Sequence, residues 1–335
     1  MNIKDIGEQG LLAILQKFCP SDIIGDDAAL LPTDPGKSLV ITTDMLIDGV
    51  HFSDRTTSPQ DTGWRATAAN LSDLAAMGAQ PLGITIALGL TPDTPIAWVE
   101  QLYQGMIACL QPYNTPIVGG DLVRSPITTL AITAFGQCHP TRTIRRRSAQ
   151  PGNLIVATGP HGASRAGLEL LLNPELGHHL APAERHSLIL AHQRPKPRLD
   201  LLPLLWAILD SQSLVTSPIS LAGMDSSDGL ADAIVQICRA SNVGAAIERS
   251  QIPIPAALKR LTSPEVALNW ALYGGEDFEL VLCLPPEIAQ LFIQKLGAGA
   301  AIVGTTTSST GICLVDRNGL YPDEELTLHQ GFQHF

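Results

Sequence analysis

The sequence predicts a two-domain protein of mixed α/β (α+β) class, and three observations support this expectation. Runs of β-branched residues, which are typical of strands, alternate with helical segments in both halves of the chain. The basic stretch 141–153 interrupts this alternation and contains turn residues, which indicates a domain boundary. The 335 residues are 45% hydrophobic and 16% charged, which is enough apolar material for a sizeable core. We therefore expect domains over residues 1–150 and 151–335.

Strand and helix patterns alternate along the N-terminal half. Segment 59–79 is predicted to be a helix because a proline opens it and Gly78 lies near its end. Segment 38–47 is rich in β-branched residues and is predicted to be a strand. The predicted elements are, in order, a helix over 8–18, a strand over 38–47, a helix over 59–79, a strand over 82–90, a helix over 94–110, and strands over 115–121 and 128–138.

The C-terminal half resumes the alternation. Segment 154–159 is a short apolar run that is typical of a buried strand, and a helix is predicted over 162–172. The proline-rich segment 192–203 is expected to be a loop that leads into a helix. The later predicted elements are a helix over 229–241 and strands over 278–285, 300–306 and 311–316.

Charge and cysteine content exclude several classes of protein. The formal net charge is −11 and the one basic block is "RRR" at 145–147, so a nucleic-acid-binding surface is not expected. The six cysteines are scattered without a CxxC pair, which argues against a zinc site or a disulfide framework. The first residues lack a signal-peptide pattern, and no long apolar run predicts a membrane span. We expect a cytoplasmic protein that binds no membrane.

Aspartates recur beside small residues at the predicted ends of strands and helices. Each one alone is typical of a turn or a helix cap. Two unit charges about 4 Å apart repel by about 4 kcal/mol at an effective dielectric of 20, so several carboxylates can share a pocket only with cations between them. Mg²⁺ fits because it binds carboxylates together with substrate phosphates. The motifs contain Asp26 and Asp27, Asp44 and Asp48, Asp73, Asp121, and Asp225 and Asp228.

Two of these motifs carry more specific expectations. In the strand over 38–47, side chains alternate between faces, so Thr42 and Asp44 are expected on one face. Thr43 points to the other face and could serve a site only through its backbone carbonyl or a bent backbone. The segment "MDSSDGLADA" at 224–233 crowds three acids at the start of a predicted helix. Helix capping and cation binding both explain that crowding, and they can coexist.

Common nucleotide-binding motifs are missing from the chain. There is no GxxxxGK[ST] loop and no protein-kinase HRD or DFG set. The glycine-rich segment "TGPHGASRAG" follows a predicted strand but does not match a dinucleotide fingerprint. A bound ATP would therefore have to be held by Mg²⁺ and backbone N–H groups.

Taken together, the motifs resemble the thiamine-monophosphate kinase family. The segments "IGDDAA", "TTDMLIDGVHF", "NLSDLAAMGA", "VGGD", "SRAGLELLL", "MDSSDGL", "YGGEDFEL" and "GFQHF" occur in that family's order and cover nearly the whole chain. The family belongs to a superfamily with aminoimidazole-ribonucleotide synthetase and selenophosphate synthetase. The resemblance implies an N-terminal mixed sheet that forms a barrel in a homodimer, and a C-terminal α/β domain. It also implies ATP-dependent phosphorylation of thiamine monophosphate to thiamine diphosphate.

The resemblance also assigns site residues. It implies that metal ligands fall on Asp27, Thr42, Thr43, Asp44, Asp73, Asp121, Asp225 and Asp228. It implies nucleotide contacts at Tyr103, Gly120, Asp121, Arg146 and Ser227, and substrate contacts at His51, Glu276 and Phe332. The chain departs from the family pattern at "RRRSAQ", where Ser148 stands in a glycine place. Arg145 or Arg147 could therefore replace Arg146.

The chemistry of two anionic reactants agrees with this assignment. Repulsion between the phosphates is the main obstacle, so positioning and charge neutralisation by several Mg²⁺ ions are expected to dominate catalysis. The phosphate nucleophile is already anionic, so direct in-line transfer requires no strong base. We expect no covalent intermediate and no catalytic nucleophile in the chain.

Two alternative functions remain open. One is another ATP-dependent synthetase of the same superfamily; a selenide enzyme should have a reactive cysteine near its N-terminus, where Cys19 is the candidate. The other is a non-catalytic protein that binds Mg²⁺ or nucleotide. Acids are present in every motif, which disfavours the non-catalytic alternative.

Overall fold

The structure, a computed structural model, describes residues 1–21, 23–24, 28–211, 221–328 and 331. The chain folds into two compact units. The first consists of Met1–Leu74 and Ala79–His139, and the second of Ala75–Gly78 and Pro140–Phe335. By their contacts, residues 140–150 thus belong with the second unit. The predicted division of functions at residue 150 stays a prediction.

Among the residues that the structure describes, the first unit has one sheet and three α-helices. Helix α2 (Pro59–Ala76) begins with a reciprocal cap, because the Ser58 hydroxyl accepts from the Asp61 amide at 3.2 Å and donates to the Asp61 carboxylate at 2.6 Å. Its last turn is followed by Gly78, whose φ of 72° lies in the left-handed region. The elements are α1 (Ile3–Leu15), β1 (Ser38–Ile47), α2 (Pro59–Ala76), β2 (Gln80–Leu90), α3 (Ile96–Leu110), β3 (Ile117–Arg124) and β4 (Thr129–Cys138).

The sheet of the first unit has the strand order β1-β4-β2-β3. Strands β1 and β2 both run antiparallel to β4, and β3 runs parallel to β2. One face carries fully buried side chains, among them Ile86, Leu88 and Ile132. The other face leaves large apolar side chains exposed to solvent: Leu39 (50%), Ile41 (58%), Met45 (56%) and Val123 (55%).

The second unit is a larger sheet with helices. The strand order is β11-β10-β7-β9-β5-β8-β6, in which only β10 and β7 are parallel among the described pairs. The elements are β5 (Leu154–Ala157), α4 (Ala163–Leu172), α5 (Pro182–Gln193), α6 (Leu202–Ser211), β6 (Ala222–Asp225), α7 (Leu230–Ser241), β7 (Gly244–Glu248), α8 (Ala256–Leu261), α9 (Pro264–Tyr273), β8 (Leu280–Leu284), α10 (Pro286–Leu296), β9 (Ala301–Thr307), β10 (Ile312–Val315) and β11 (Glu324–Glu325).

Helix α7 shows how the second core forms. Its buried residues Ile234, Val235 and Cys238 pack in one apolar cluster with Met224 of β6 and Val281 of β8. This packing fixes the start of α7, and with it the acidic segment that precedes the helix. Within the described ranges, every helix is too short or too polar to span a lipid bilayer.

Candidate active site

The inward face of β1 brings two predicted metal ligands together. The Thr42 hydroxyl on β1 donates a hydrogen bond to the Asp73 carboxylate on α2. Asp44 lies two residues further along the strand and on the same face. The prediction that Thr42 and Asp44 share a face is confirmed, because the residues between and beside them alternate in exposure.

Thr43 lies on the opposite face of the same strand. Its hydroxyl donates to the Ile132 carbonyl at 2.9 Å and lies 3.2 Å from the Thr133 hydroxyl on β4. The side chain therefore contributes to strand pairing. The alternation of side chains predicted this orientation, so a metal-binding role for Thr43 would have to use its backbone carbonyl or a bent backbone.

Gly120 and Asp121 lie on β3, at the other end of the strand order. A side chain at Gly120 would place its Cβ 2.2 Å from the Ile86 carbonyl, so pairing with β2 requires a glycine there. Asp121 is exposed and pairs with Ala87. Three strand-to-strand steps of about 4.8 Å put roughly 14 Å between β1 and β3. Because Mg²⁺ holds its ligands at about 2.1 Å, Asp44 and Asp121 cannot share one ion in this arrangement.

Two predicted contacts of the first unit sit in well-packed surroundings. Tyr103 is 5% exposed, and its ring centroid lies 5.3 Å from that of Phe18. Burial raises the pKa of the Tyr103 phenol above its ordinary value. His51 accepts a hydrogen bond from the Ile47 amide at its Nδ1, at 3.1 Å. These contacts hold both rings in place within the unit, and their proposed ligand roles stay predictions.

In the second unit, the end of β6 lies beside the start of β8 because the two strands are antiparallel. Asp225 is the last residue of β6, pairs with Leu280 and is 3% exposed. The Ser227 hydroxyl donates to the Asp225 carboxylate at 3.1 Å. The Ser226 amide donates to the Glu279 carbonyl at 2.8 Å. The segments 226–228 and 274–279 are therefore joined at one edge of the sheet.

The capping interpretation of the acidic segment is wrong for α7. The residue that precedes the helix is Gly229, and no side chain caps the helix. Burial raises the pKa of Asp232, and the negative charge of the neighbouring Asp228 raises it further. The Arg146 guanidinium lowers the pKa of the same carboxyl and donates to the Gln236 side chain on α7. Arg146 thus lies within reach of the acidic segment.

The loop that follows α9 has an unusual backbone. Glu276 and Phe278 have φ values of 58° and 52°, in a region that non-glycine residues rarely adopt. Gly275, with φ of 66°, packs against the Ser227 carbonyl, where a Cβ would come within 2.9 Å. Such strain persists only when the surroundings hold it, and it is common at functional sites.

Buried polar contacts hold the loop 274–279 in place. The Asp277 carboxylate accepts from the Gly162 amide at 2.6 Å and the Ser164 amide at 2.9 Å, at the start of α4. Burial raises the pKa of Asp277 to about 7, and these amide donors oppose the rise. Glu279 pairs with the Arg198 guanidinium and accepts from the Thr158 hydroxyl at 2.6 Å. Burial nevertheless raises the pKa of Glu279 above its ordinary value.

His161 contacts Ser226, the residue that follows Asp225. It is fully buried, and burial lowers its pKa to about 4, so the ring is neutral at pH 7. Its Nδ1 lies 3.0 Å from the Gly159 carbonyl and its Nε2 lies 3.0 Å from the Ser226 hydroxyl. Because a carbonyl only accepts, Nδ1 carries the proton and Nε2 accepts from Ser226.

The sequence prediction missed most of the buried polar residues that hold Asp225 and the loop 274–279 in place. Sequence patterns did not point to His161, Arg198 and Glu279, nor to His192, which is buried on α5, because a lone buried histidine or ion pair has no spacing signature. A partial signal was present, since Glu276 and Asp277 follow two glycines. Two predicted site residues, Asp27 and Phe332, lie outside the described residues.

The available ligands match the chemistry of Mg²⁺. Asp44, Asp73, Asp225 and the Thr42 hydroxyl supply hard oxygen atoms, which this ion prefers. Among the described residues, no three His, Cys, Asp or Glu side chains converge closely enough to hold a metal ion. Any ion would therefore complete its shell with water and phosphate oxygens, which is how Mg²⁺ commonly binds.

Comparison with family models covers both units. Residues 25–138 match the family model described as AIR synthase related protein, N-terminal domain. Residues 150–316 match the model described as AIR synthase related protein, C-terminal domain. The two matches together span most of the chain.

Comparison with individual proteins is more specific. The chain is 50% identical over 337 residues to a thiamine-monophosphate kinase of Synechococcus elongatus, covering 100% of this chain and 98% of the relative. It is similar to the crystal structure of thiamine-monophosphate kinase from Stenotrophomonas maltophilia, with 33% identity, a TM-score of 0.75, and coverage of 91% and 94%. It is also similar to a solved AaThiL complex with AMPPCP and TMP, with 29% identity, a TM-score of 0.71, and coverage of 97% and 98%.

Proposed function

The chain belongs to the thiamine-monophosphate kinase family, and from this premise we propose that it phosphorylates thiamine monophosphate to thiamine diphosphate with ATP. The observation that carries the proposal is the full-length relative at 50% identity. The protein is accordingly a kinase whose acceptor is a phosphate group. A related ThiL protein has been solved with AMPPCP and TMP, and this supports the same pair of ligands here.

The transfer is proposed to be direct and in line. The acceptor is a phosphate oxygen that is already anionic, so no side chain has to remove a proton from it. Several Mg²⁺ ions, when bound, would neutralise the phosphate charges and hold the reacting oxygens. Asp44 and Asp73 of the first unit and Asp225 and Asp228 of the second would hold these ions. Asp27, Thr42, Thr43 and Asp121 complete the proposed set.

The spacing of the ligands supports a proposal of separate ions. Because Asp44 and Asp121 are too far apart to contact one ion, they are proposed to serve different ions. Gly120, Asp121, Arg146 and Ser227 are proposed to contact the nucleotide. His51, Glu276 and Phe332 are proposed to contact thiamine monophosphate, and Tyr103 remains a proposed nucleotide contact.

A thiol-dependent function of the same superfamily is disfavoured by the state of Cys19. Its Sγ lies 3.9 Å from the Leu15 carbonyl, and burial raises the pKa of the thiol. A raised pKa reduces the thiolate fraction at neutral pH, whereas a reactive cysteine needs the thiolate. The kinase therefore remains the best-supported function.

The protein is also proposed to form a homodimer through the first unit. The exposed apolar face of its sheet carries Leu39, Ile41, Met45 and Val123 in alternate positions. Large apolar side chains that a sheet exposes on one face are typical of a protein interface. Ile41→Asp should shift the protein from dimer to monomer in sedimentation velocity, whereas a wild-type monomer at all concentrations would contradict the proposal.

A turnover assay tests the proposed reaction. Thiamine monophosphate, ATP and Mg²⁺ should yield thiamine diphosphate and ADP in equal amounts. ATP with a chiral, isotopically labelled γ-phosphate should give inverted configuration at the transferred phosphorus. Retention would indicate a phosphoenzyme and contradict in-line transfer. Nucleotide binding without ADP formation would favour the non-catalytic alternative.

A further inference from the structure

Glu276 presents a partly exposed carboxylate from a loop that is otherwise anchored inside the second unit. Its side chain is 37% exposed, whereas the neighbouring His192 side chain is 4% exposed. The Glu276 amide donates to the Ser227 carbonyl at 2.7 Å, which fixes the backbone. Backbone anchoring does not fix the side chain, because a glutamate has three rotatable bonds. A further contact is needed to orient the carboxylate.

His192 supplies such a contact from the C-terminal end of α5. Its Nδ1 lies 3.7 Å from the Glu276 carboxylate and 3.2 Å from the Ser164 hydroxyl. A carboxylate at this distance favours a proton on Nδ1, because the other tautomer would direct a lone pair at a negative charge. The one Nδ1–H then faces both the Ser164 hydroxyl and the Glu276 carboxylate, with the hydroxyl as the nearer acceptor and the carboxylate attracted electrostatically.

Ser164 joins this contact to the anchor of the loop. Its amide donates to Asp277, the residue after Glu276, at 2.9 Å. Helix α4, helix α5 and the loop 274–279 are therefore connected through one chain of polar contacts. The histidine is 3% exposed, so it cannot itself reach a ligand in solvent.

We propose that His192 is a positioning residue, which holds the Glu276 carboxylate in the orientation that binds the substrate. This inference rests on the proposed function, in which Glu276 contacts thiamine monophosphate. The thiamine part of that substrate carries a fixed positive charge and an amino group, and a carboxylate complements both. Orienting the side chain before binding lowers the entropy that binding would otherwise cost. His192 should therefore affect affinity for thiamine monophosphate and leave ATP unaffected.

The test compares His192→Ala, His192→Asn and His192→Gln with His186→Asn. His186 is an exposed histidine on the same helix, so it controls for substitution in α5. Affinity for thiamine monophosphate is measured by calorimetry without ATP, and KM for each substrate by product formation. His192→Ala should raise Kd and KM for thiamine monophosphate about 5- to 30-fold, the factor that a perturbation of one to two kcal/mol produces. KM for ATP and all constants of His186→Asn should stay within about twofold.

Two further comparisons separate positioning from general stability. Asn can place an N–H near the position of Nδ1, so His192→Asn should recover most of the affinity, whereas His192→Gln should not. In a Glu276→Ala background, His192→Ala should cause no further loss. The inference would be overturned if His192→Ala weakened affinity for thiamine monophosphate equally in the wild-type and Glu276→Ala backgrounds. It would also be overturned if His192→Ala weakened affinity for ATP and for thiamine monophosphate equally.

The two hypotheses fail in different ways. If the wild type neither binds nor turns over thiamine monophosphate, the proposed function is refuted. If the wild type is active and His192→Ala leaves Kd and KM unchanged, only the positioning role is refuted. If His192→Ala does not fold, the contrast between the Asn and Gln variants decides the matter.

Discussion

Asp73→Asn should abolish activity while leaving the protein folded. Asp73 accepts a hydrogen bond from the Thr42 hydroxyl, which links α2 to β1. Asparagine has nearly the same shape and keeps one oxygen acceptor for that hydroxyl. The substitution removes only the negative charge, which the proposed metal role requires and the hydrogen bond does not.

The loss of stability and the loss of kcat together distinguish a structural role of Asp73 from a metal-binding role. A hydrogen bond to a charged group contributes about 1.5–3 kcal/mol and a neutral one about 1 kcal/mol, so the stability loss should be about 0.5–2 kcal/mol. A domain that is stable by about 5–15 kcal/mol stays almost fully folded after such a loss. Loss of a ligand for a catalytic ion should cost several kcal/mol of transition-state stabilisation. At 1.36 kcal/mol per factor of ten, we expect kcat to fall by at least about 100-fold.

The assay measures kcat and the urea denaturation midpoint on the same preparations. Asp61→Asn is the matched control, because Asp61 lies on the same helix and accepts from Ser58 at 2.6 Å. Asp61→Asn should lower the free energy of unfolding by about 0.5–2 kcal/mol, because it weakens the helix cap, and should leave kcat nearly unchanged. If Asp73→Asn loses activity only in proportion to unfolding, or keeps more than a tenth of wild-type kcat, the metal role is wrong.

Four further outcomes are expected. Activity should keep rising after Mg²⁺ exceeds the ATP concentration, because the proposed carboxylate ligands outnumber what one MgATP needs; a plateau at equal concentrations would contradict the proposal of several Mg²⁺ ions. Phe332→Ala should weaken calorimetric binding of thiamine monophosphate by about 0.5–2 kcal/mol, because the proposed cation–π contact with the substrate would be lost, and leave ATP binding unchanged; equal weakening of both would indicate packing only. Asp277 has a folded pKa of about 7, above the ordinary 3.8, so its contribution to stability is present below pH 4 and is lost as pH rises through 7. Between pH 4.5 and 8 this loss should amount to about 3 kcal/mol of unfolding free energy, and Asp277→Asn should remove it; the same pH dependence of stability in the variant would refute this reasoning. Arg198→Met leaves the Glu279 carboxylate buried without its guanidinium partner and should cost about 3–5 kcal/mol in urea denaturation, whereas a cost below about 1 kcal/mol would show that the pair is not needed.

Local patterns predicted the elements of the first unit well. The strand over 38–47 coincides with β1, and the helix predicted over 59–79 corresponds to α2 at Pro59–Ala76. These elements have strong signals, namely β-branched composition and a proline at the first turn. The predicted helix over 8–18 is less accurate, because α1 begins at Ile3 and Gly7 interrupts it with a φ of 66°.

Prediction was weaker in the second unit. The segment 192–203 was expected to be a loop, but α5 continues to Gln193. Strands β6 and β7 were not predicted, since they have four and five residues and little internal pattern. Both are strands because neighbouring strands pair with them, β8 with β6 and β9 with β7. A partner that is distant in sequence cannot be read from the strand itself.

The sequence by itself determined the two-domain mixed class, the acidic motifs and the alternation that sets Thr42 and Asp44 on one face of β1. These properties follow from residue type and short-range spacing, which local geometry converts directly into structure. The tertiary structure alone decided which residues support the site. Asp277 meets the start of α4, Arg198 meets Glu279, and His192 meets Glu276 only because the fold brings distant segments together. Buried polar groups must find partners wherever the fold offers them, so these contacts have no fixed spacing along the chain.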